Sequence, residues 1–345
     1  MSFTRLDTSD FVISSDSVTA PAWSSNTTTL ATFFTASAAS TGSYYVDVYN
    51  ATVGSTTSAV QFSVAYGHYA GSGSAPLNSL VVGSSPSRIT FGQFRNLIYG
   101  DAESSINFTA GNTSSIDLVA IQVDRNRYKE SLFPGTFNLH LNYATSANPL
   151  KLTDNSNDVT TLTFVDGGRV YNIISGSNGS AINSPLLSGA SGKGYTASGS
   201  YGVFLPDIGL ILLNPKALAL AVVDGGLASS FVATNSVVGS SFNNNRIVEL
   251  INSGSNFQLN SQETISSDYI FLRVKNGDYN YTTNPSFISG SGTLIYNNFI
   301  NSPQTFPTTV GLYNDNNELL AVAKMSKPLT KDFTKEALIR VKLDW

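Results

Sequence analysis

Apolar and polar side chains alternate at every second position through most hydrophobic stretches of this chain, a period that fits extended strands and not helices. The last nine residues are the clearest case: Ile339, Val341, Leu343 and Trp345 fall on one side, and Arg340, Lys342 and Asp344 on the other. Residues Tyr44–Tyr49 and Ala59–Tyr66 flank a Gly/Ser/Thr loop and read as an antiparallel pair. Three further hairpins are predicted. Leu162–Val165 and Arg169–Ile174 are joined by Asp166-Gly167-Gly168, and Asp268–Lys275 and Asp278–Tyr281 by Asn276-Gly277, the residue types that tight primed turns require. Thr308–Tyr313 and Glu318–Met325 are joined by the polar turn Asn314–Asn317.

Helical signals are few. Ser87–Tyr99 carries Ile89, Phe91, Phe94, Leu97 and Ile98 at mixed spacing, which fits a short helix or an irregular crossover. Pro215–Val223 has Pro at its start and Asp224-Gly225-Gly226 at its end, as a short helix would. The fold class is therefore mainly β, as two or three antiparallel sandwich-like or barrel-like domains with few short helices. At 345 residues the chain exceeds what one hydrophobic core usually serves. The predicted division is an N-terminal arm at 1–19, a β domain at 20–147, a second at 148–250 and a C-terminal β domain at 251–345. Within the second, Ser175–Ser200 is dominated by Ser and Gly and reads as a long flexible loop available to a partner.

Only 12% of residues are charged, so polarity comes from hydroxyls and amides, which suits half-buried strands and surfaces that end against other protein. With 20 Phe and 16 Tyr the chain carries more apolar bulk than a disordered one. The net charge of -4 argues against nucleic-acid binding. From Lys324 to Trp345, however, six Lys/Arg face three Asp/Glu, a basic stretch that reads either as a solvated strand face or as a docking surface. The longest apolar candidate for a membrane span, Val203–Val223, is interrupted by Pro206, Asp207, Asn214, Pro215 and Lys216. The first residues lack the basic stretch and apolar core of a secretory signal.

Chemistry has little foothold. Cysteine is absent, and the two histidines, His68 and His140, each stand in an alternating strand context. Gly189-Ala190-Ser191-Gly192-Lys193-Gly194 has the wrong glycine spacing for a phosphate loop. The oxygen-rich clusters Asp154–Asp158 and Asn314–Glu318 lack the glycine and distal glutamate of a calcium loop, and turn chemistry accounts for both. No catalytic, metal or cofactor-binding residue is assigned, and the chain reads as a non-enzyme without cofactors.

Contact elements are easier to nominate. Phe11-Val12-Ile13, followed by Trp23, could add as a strand to another copy or form the first strand of its own domain. Arg125, Arg127 and Lys129 form the densest charge cluster, open to an ion-pair network with a neighbour or to solvent. Lys327, Lys331, Arg340 and Trp345 complete the candidate partner contacts on the basic stretch.

Three stretches resemble structural proteins of contractile-tailed bacteriophages, especially those of marine cyanobacteria. They are Phe3–Phe11 with Trp23, Val123–Thr136, and Thr309–Leu329 continuing through Arg340–Trp345, the third being the most specific. The resemblance implies a virion protein made in the host cytoplasm and assembled in the tail, baseplate or neck through contacts with its own copies and other virion proteins. A capsid-associated or fibre-like protein binding host glycans through loops such as Tyr279–Asn284 is the alternative. A virion-borne glycan hydrolase with two carboxylates is a third reading.

Overall fold

In the computed structural model the described residues are 6–21, 34–38, 45–51, 54–74, 80–81, 84–108, 114–142, 149–182, 188–189, 192–228, 243–280 and 284–344. A 3-10 turn at Thr8–Asp10 leads into β1 (Phe11–Pro21). Next come β2 (Phe34–Ala38), β3 (Val46–Tyr49), β4 (Val60–His68) and helix α1 (Pro86–Tyr99). The short β5 (Ile106–Asn107) and β6 (Ser114–Ser115) precede β7 (Asp117–Val123), β8 (Ser131–Leu132) and β9 (Asn138–Leu141). After β10 (Leu150–Asp154), β11 (Thr163–Val165) and β12 (Gly168–Ser177) come three two-residue strands, β13 (Ser180–Ala181), β14 (Ser188–Gly189) and β15 (Gly192–Lys193). β16 (Gly202–Leu205), β17 (Leu210–Leu213), α2 (Pro215–Leu218) and α3 (Asn243–Gly254) follow. The chain continues through β18 (Phe257–Gln258), β19 (Ser261–Val274), α4 (Asn297–Asn301), β20 (Thr309–Tyr313), β21 (Leu319–Lys324) and β22 (Ala337–Asp344). The protein is mainly β, and it divides into two units, Ala20–Glu263 and Met1–Thr19 with Thr264–Trp345.

The Ala20–Glu263 unit is built on one antiparallel sheet in the order β18-β9-β10-β12-β16-β17-β7-β4-β3-β2, with β11 and β13 also paired to β12. Alternation explains why its middle is buried on both faces. Val119, Ile121 and Val123 of β7, Ile211 and Leu213 of β17 and Phe204 of β16 point into one core. Their neighbours Leu118, Ala120, Leu210, Leu212, Val203 and Leu205 point into a second, under α1. The apolar run at 203–213 is thus a two-strand hairpin of the sheet centre, and among the described residues no helix is long and apolar enough to cross a membrane.

The sheet curls. Phe257 on β18 meets Phe62 on β4 edge to face with centroids 5.0 Å apart, although six strands lie between them in the sheet order. Phe137 extends this contact, 6.1 Å from Phe257 and stacked at 5.4 Å on Phe204. Helix α3 fills the mouth of the curl with Ile247, Val248, Leu250 and Ile251. There its Asn244 Oδ1 accepts the Tyr66 N–H of β4 (2.7 Å), just past the point where β3 stops pairing at Val64. On the other face Ser87–Tyr99 is helical, with Pro86 in the first turn and Gly100 at φ 71° closing it through its N–H to Asn96 O (2.9 Å). It lies so close to β4 that a Cβ on Gly67 would stand 2.8 Å from the Phe91 backbone nitrogen.

The boundaries predicted near 147 and 250 fall inside this sheet. β9 pairs with β10 across the first, and β18, beyond the second, pairs with β9. Ser175–Ser200, predicted as a long loop, is tied to the sheet at several of its described residues. Ser175 continues β12 opposite Leu152, Asn178 N–H bonds to Asn138 Oδ1 (2.9 Å), Gly179 N–H to Thr153 Oγ1 (2.8 Å), and Tyr195 and Ser200 are buried. Small hydroxyl and amide side chains on adjacent strands, with Gly179 at φ 75°, hold it alongside the buried Tyr195 ring. The Asp166-Gly167 hairpin forms as predicted, Val165 facing Gly168.

In the second unit β19 is the centre of the sheet β1-β19-β22. β22 pairs with it from Ser267↔Asp344 to Val274↔Ala337; Ala337 and Val341 are buried and Leu338, Arg340, Lys342 and Asp344 exposed, the alternation read from sequence. Residues 1–19, predicted as an arm, supply β1 on the other side of β19; Ser15 Oγ donates to Asp268, and Asp10, buried, pairs with Lys275 (2.6 Å). With both sides of β19 occupied, the predicted Asn276-Gly277 hairpin has no edge to form on: Asp278–Asn280 are not a strand, and Tyr281 lies outside the described residues. The hairpin β20–β21 forms as predicted.

Truncating Phe257 to Ala will remove the ring that closes the curl and leave a cavity in the core, destabilising the protein by about 3–5 kcal/mol in urea unfolding.

Candidate interaction surface and aromatic cleft

The residues that sequence offers for chemistry are spent on structure. His68 ends β4 with Nδ1 accepting the N–H groups of Ala70 (3.0 Å) and Ser72 (3.4 Å), and burial holds its pKa below the ordinary imidazole value against the opposing charge of Asp117. His140 on β9 lies 3.2 Å from Asn256 Nδ2; burial, and then Lys151 opposite it on β10, lower its pKa as well. Asp154 is buried, which raises its carboxyl above the ordinary range against the bonds it accepts from Gly135 N–H (2.8 Å) and Ser156 N–H (2.9 Å). Asn155 receives the Asn172 N–H (2.9 Å) and Asp158 the Ala181 N–H (2.8 Å), so this oxygen cluster pins the β12–β13 turn region. In Asn314–Glu318, Asn314 Oδ1 accepts from the N–H groups of Asn316 (3.0 Å) and Glu318 (2.8 Å), closing the β20–β21 turn. Among the described residues no three His, Asp or Glu gather as metal ligands. Gly189 and Gly192, in the stretch compared with a phosphate loop, pair with each other across β14 and β15.

The nominated contact residues scatter. Arg125 donates to Tyr128 O (2.6 Å), Arg127 to Val60 O (2.8 Å) and Ala59 O (3.0 Å), and Lys129 pairs with Glu263, so this cluster fastens the 124–130 turn to its own unit. Lys331 is almost fully buried, and its Nζ donates to Asn276 O (2.9 Å), Asn280 Oδ1 (2.9 Å) and Asp332 O (3.0 Å); with all three donors used, it is an internal anchor and not a surface contact. Phe11, Lys327 and Arg340 are exposed, Phe11 on β1 beside Val12 and Ile13, and Arg340 on β22 over the Tyr269 ring at 5.7 Å. Trp23 and Trp345 lie outside the described residues.

Two features of the Met1–Thr19, Thr264–Trp345 unit stand out. The first is the β20–β21 ribbon. None of its residues is buried, and Leu319 (52%), Leu320 (68%) and Val322 (59%) lie open to solvent beside Tyr313. Its base is tied down by Met325 N–H to Thr308 O (2.8 Å) and Leu329 N–H to Pro307 O (3.1 Å). A two-stranded ribbon with no buried face is marginal in water on its own strands alone. β1 and β22 add two sheet edges with no further strand among the described residues, and Leu338 on β22 is 73% exposed.

The second is a cleft of about 670 Å³ walled by Tyr279, Phe287, Tyr296, Phe299 and Phe306, with Asn298, Ser302, Gln304 and Thr305 among its polar residues. Phe287 meets Tyr296 and Phe299 edge to face at 5.2 and 5.9 Å.

No protein-family model, curated protein or solved structure matches this chain.

Of the cleft, only Tyr279 was nominated from sequence, and Tyr281–Thr283 of that loop lie outside the described residues. The signal for the rest is Phe287, Tyr296, Phe299 and Phe306 recurring in Ser/Asn/Thr-rich sequence with neither the strand nor the helix period.

Two outcomes follow from these environments. The unfolded chain protonates its histidines near pH 6.5, whereas the folded chain takes those protons up only at lower pH. Stability from this source is therefore complete above about pH 7 and falls as pH drops toward the folded values. Urea midpoints at about pH 7.5 and 5.5 will show the loss, and H68N with H140N will flatten it. Replacing Lys331 by Met keeps the stem but strands one buried and two partly buried acceptors; we expect about 1–3 kcal/mol of destabilisation, read as faster amide exchange in residues 276–280.

Proposed function

We propose that this chain is a structural subunit of a tailed-bacteriophage particle, in the tail, baseplate or neck, that works by binding further copies of itself and other virion proteins. The observation that carries the reading is the β20–β21 ribbon, a strand pair with no buried residue and four large apolar side chains in solvent. A protein surface is the cover that suits it, because strands present both backbone edges and alternating side chains to a partner. The most specific resemblance to tail-type virion proteins, Thr309–Leu329 and Arg340–Trp345, coincides with this ribbon and with β22. Scarce surface charge favours the same role, since few ions need desolvating when the surface is covered.

In this reading the protein is not an enzyme, needs no cofactor, and passes from the host cytoplasm into the virion. Mass spectrometry of purified particles will find the chain, and light scattering of the purified protein will find an oligomer. The variant L320D with V322D, at exposed positions, will keep the strand signature in circular dichroism yet elute as a monomer and fail to enter particles. A wild-type chain that is monomeric and absent from particles overturns the proposal.

A further inference from the structure

We propose that the cleft of the Met1–Thr19, Thr264–Trp345 unit is a binding site for a neutral saccharide, an activity separate from assembly and not dependent on it. Its size, about 670 Å³, falls within the range of small-ligand sites. Its walls are the faces and edges of Tyr279, Phe287, Tyr296, Phe299 and Phe306, surfaces against which the C–H face of a sugar ring packs without losing hydrogen bonds. Tyr296 (53%) and Phe306 (56%) leave about half their surface in water, a cost in apolar exposure that a ligand removes.

The polar residues narrow the ligand class. Asn298 and Gln304 bring side-chain amides, each both donor and acceptor, and among the described residues neither amide is bonded within the chain. Ser302 and Thr305 add hydroxyls, and no Asp, Glu, Lys or Arg lines the cleft. Vicinal sugar hydroxyls also donate and accept, so they match such amides in both directions. A proline-rich peptide packs on aromatic faces as well, but it offers mainly carbonyl acceptors and would leave the amide oxygens unmatched. An anionic sugar would find no cation in the lining.

The site is also held rigid from beneath. Tyr279 adopts φ 55°, a left-handed conformation that is unfavourable for a bulky residue and persists only where its surroundings impose it. Thr305 Oγ1 donates to the Tyr279 carbonyl, and Thr305 exchanges backbone hydrogen bonds with Lys331 (2.9 Å each way). The buried Lys331 ammonium clamps Asn276 and Asn280 on either side of Tyr279. A ring fixed before the ligand arrives spares the entropy of ordering it on binding.

The test uses the full chain against an array of neutral oligosaccharides of glucose, galactose, mannose and N-acetylglucosamine, with sialylated and sulfated glycans and a proline-rich decapeptide alongside. At least one neutral oligosaccharide will bind. Y296A and F306A, both at exposed positions, will each weaken it at least about tenfold with circular dichroism unchanged, and Q304A will weaken it less. The ribbon variant L320D/V322D will retain saccharide binding, which separates this site from the assembly surface. Absence of binding to any neutral oligosaccharide, binding that survives Y296A/F306A, preference for the anionic glycans, or capture of the peptide instead would each overturn the assignment.

Discussion

Phe62 and Phe257 stand on strands that six others separate in the sheet, yet their rings touch, and the shape of the Ala20–Glu263 unit follows from that contact. A sheet this wide twists, and twist alone leaves its two ends apart. Burying Phe62, Phe137, Phe204 and Phe257 in one cluster turns the sheet back on itself and creates the concave core that α3 then seals. Once the inner face is closed, the outward residues of β7, β16 and β17 need their own cover, and α1 supplies it, approaching β4 at Gly67 where no side chain intervenes.

The scarcity of charge shapes how the interior is satisfied. Buried polar groups are bonded chiefly through amides and hydroxyls: Asn244 to a strand N–H, Asn155 and Asn138 to turns, Ser200 to a carbonyl. One charged pair adds to this network. Arg169 grips Asp207 through Nε (3.0 Å) and Nη2 (2.6 Å) and Ser131 Oγ (3.0 Å), joining the β11–β12 turn to the β16–β17 turn. The Asp207 carboxyl, which burial would raise, is held below its ordinary range by that guanidinium and by the Arg169 N–H.

The Met1–Thr19, Thr264–Trp345 unit is built on a contrasting principle. It has the strands β1-β19-β22, a ribbon with no buried residue and an aromatic cleft, and its large apolar side chains face water at many positions. Its few buried groups include the charged Lys331, bonded to Asn276 and Asn280, and Asp10, paired with Lys275. A unit that invests so little in its own burial has surface to offer others, which is why the proposed assembly contacts and the proposed ligand site both fall on it.

The sequence by itself determined the strands and their faces. Period-2 alternation made Ala337–Asp344 a one-sided strand, and Asp166-Gly167 and Asn314–Asn317 set tight turns, because these depend on residues close in the chain. Tertiary structure decided what depends on partners distant in sequence. Asn276-Gly277 has hairpin chemistry, but β1 and β22 already occupy both sides of β19. Ser175–Ser200 has loop composition, but neighbouring strands supply its hydrogen bonds. Lys331 looks like a surface cation until Asn276 and Asn280 close around it, and Phe287, Tyr296, Phe299 and Phe306 show no period because they meet in space and not along an element. Local pattern specifies which way a side chain points; only the folded chain specifies what it finds there.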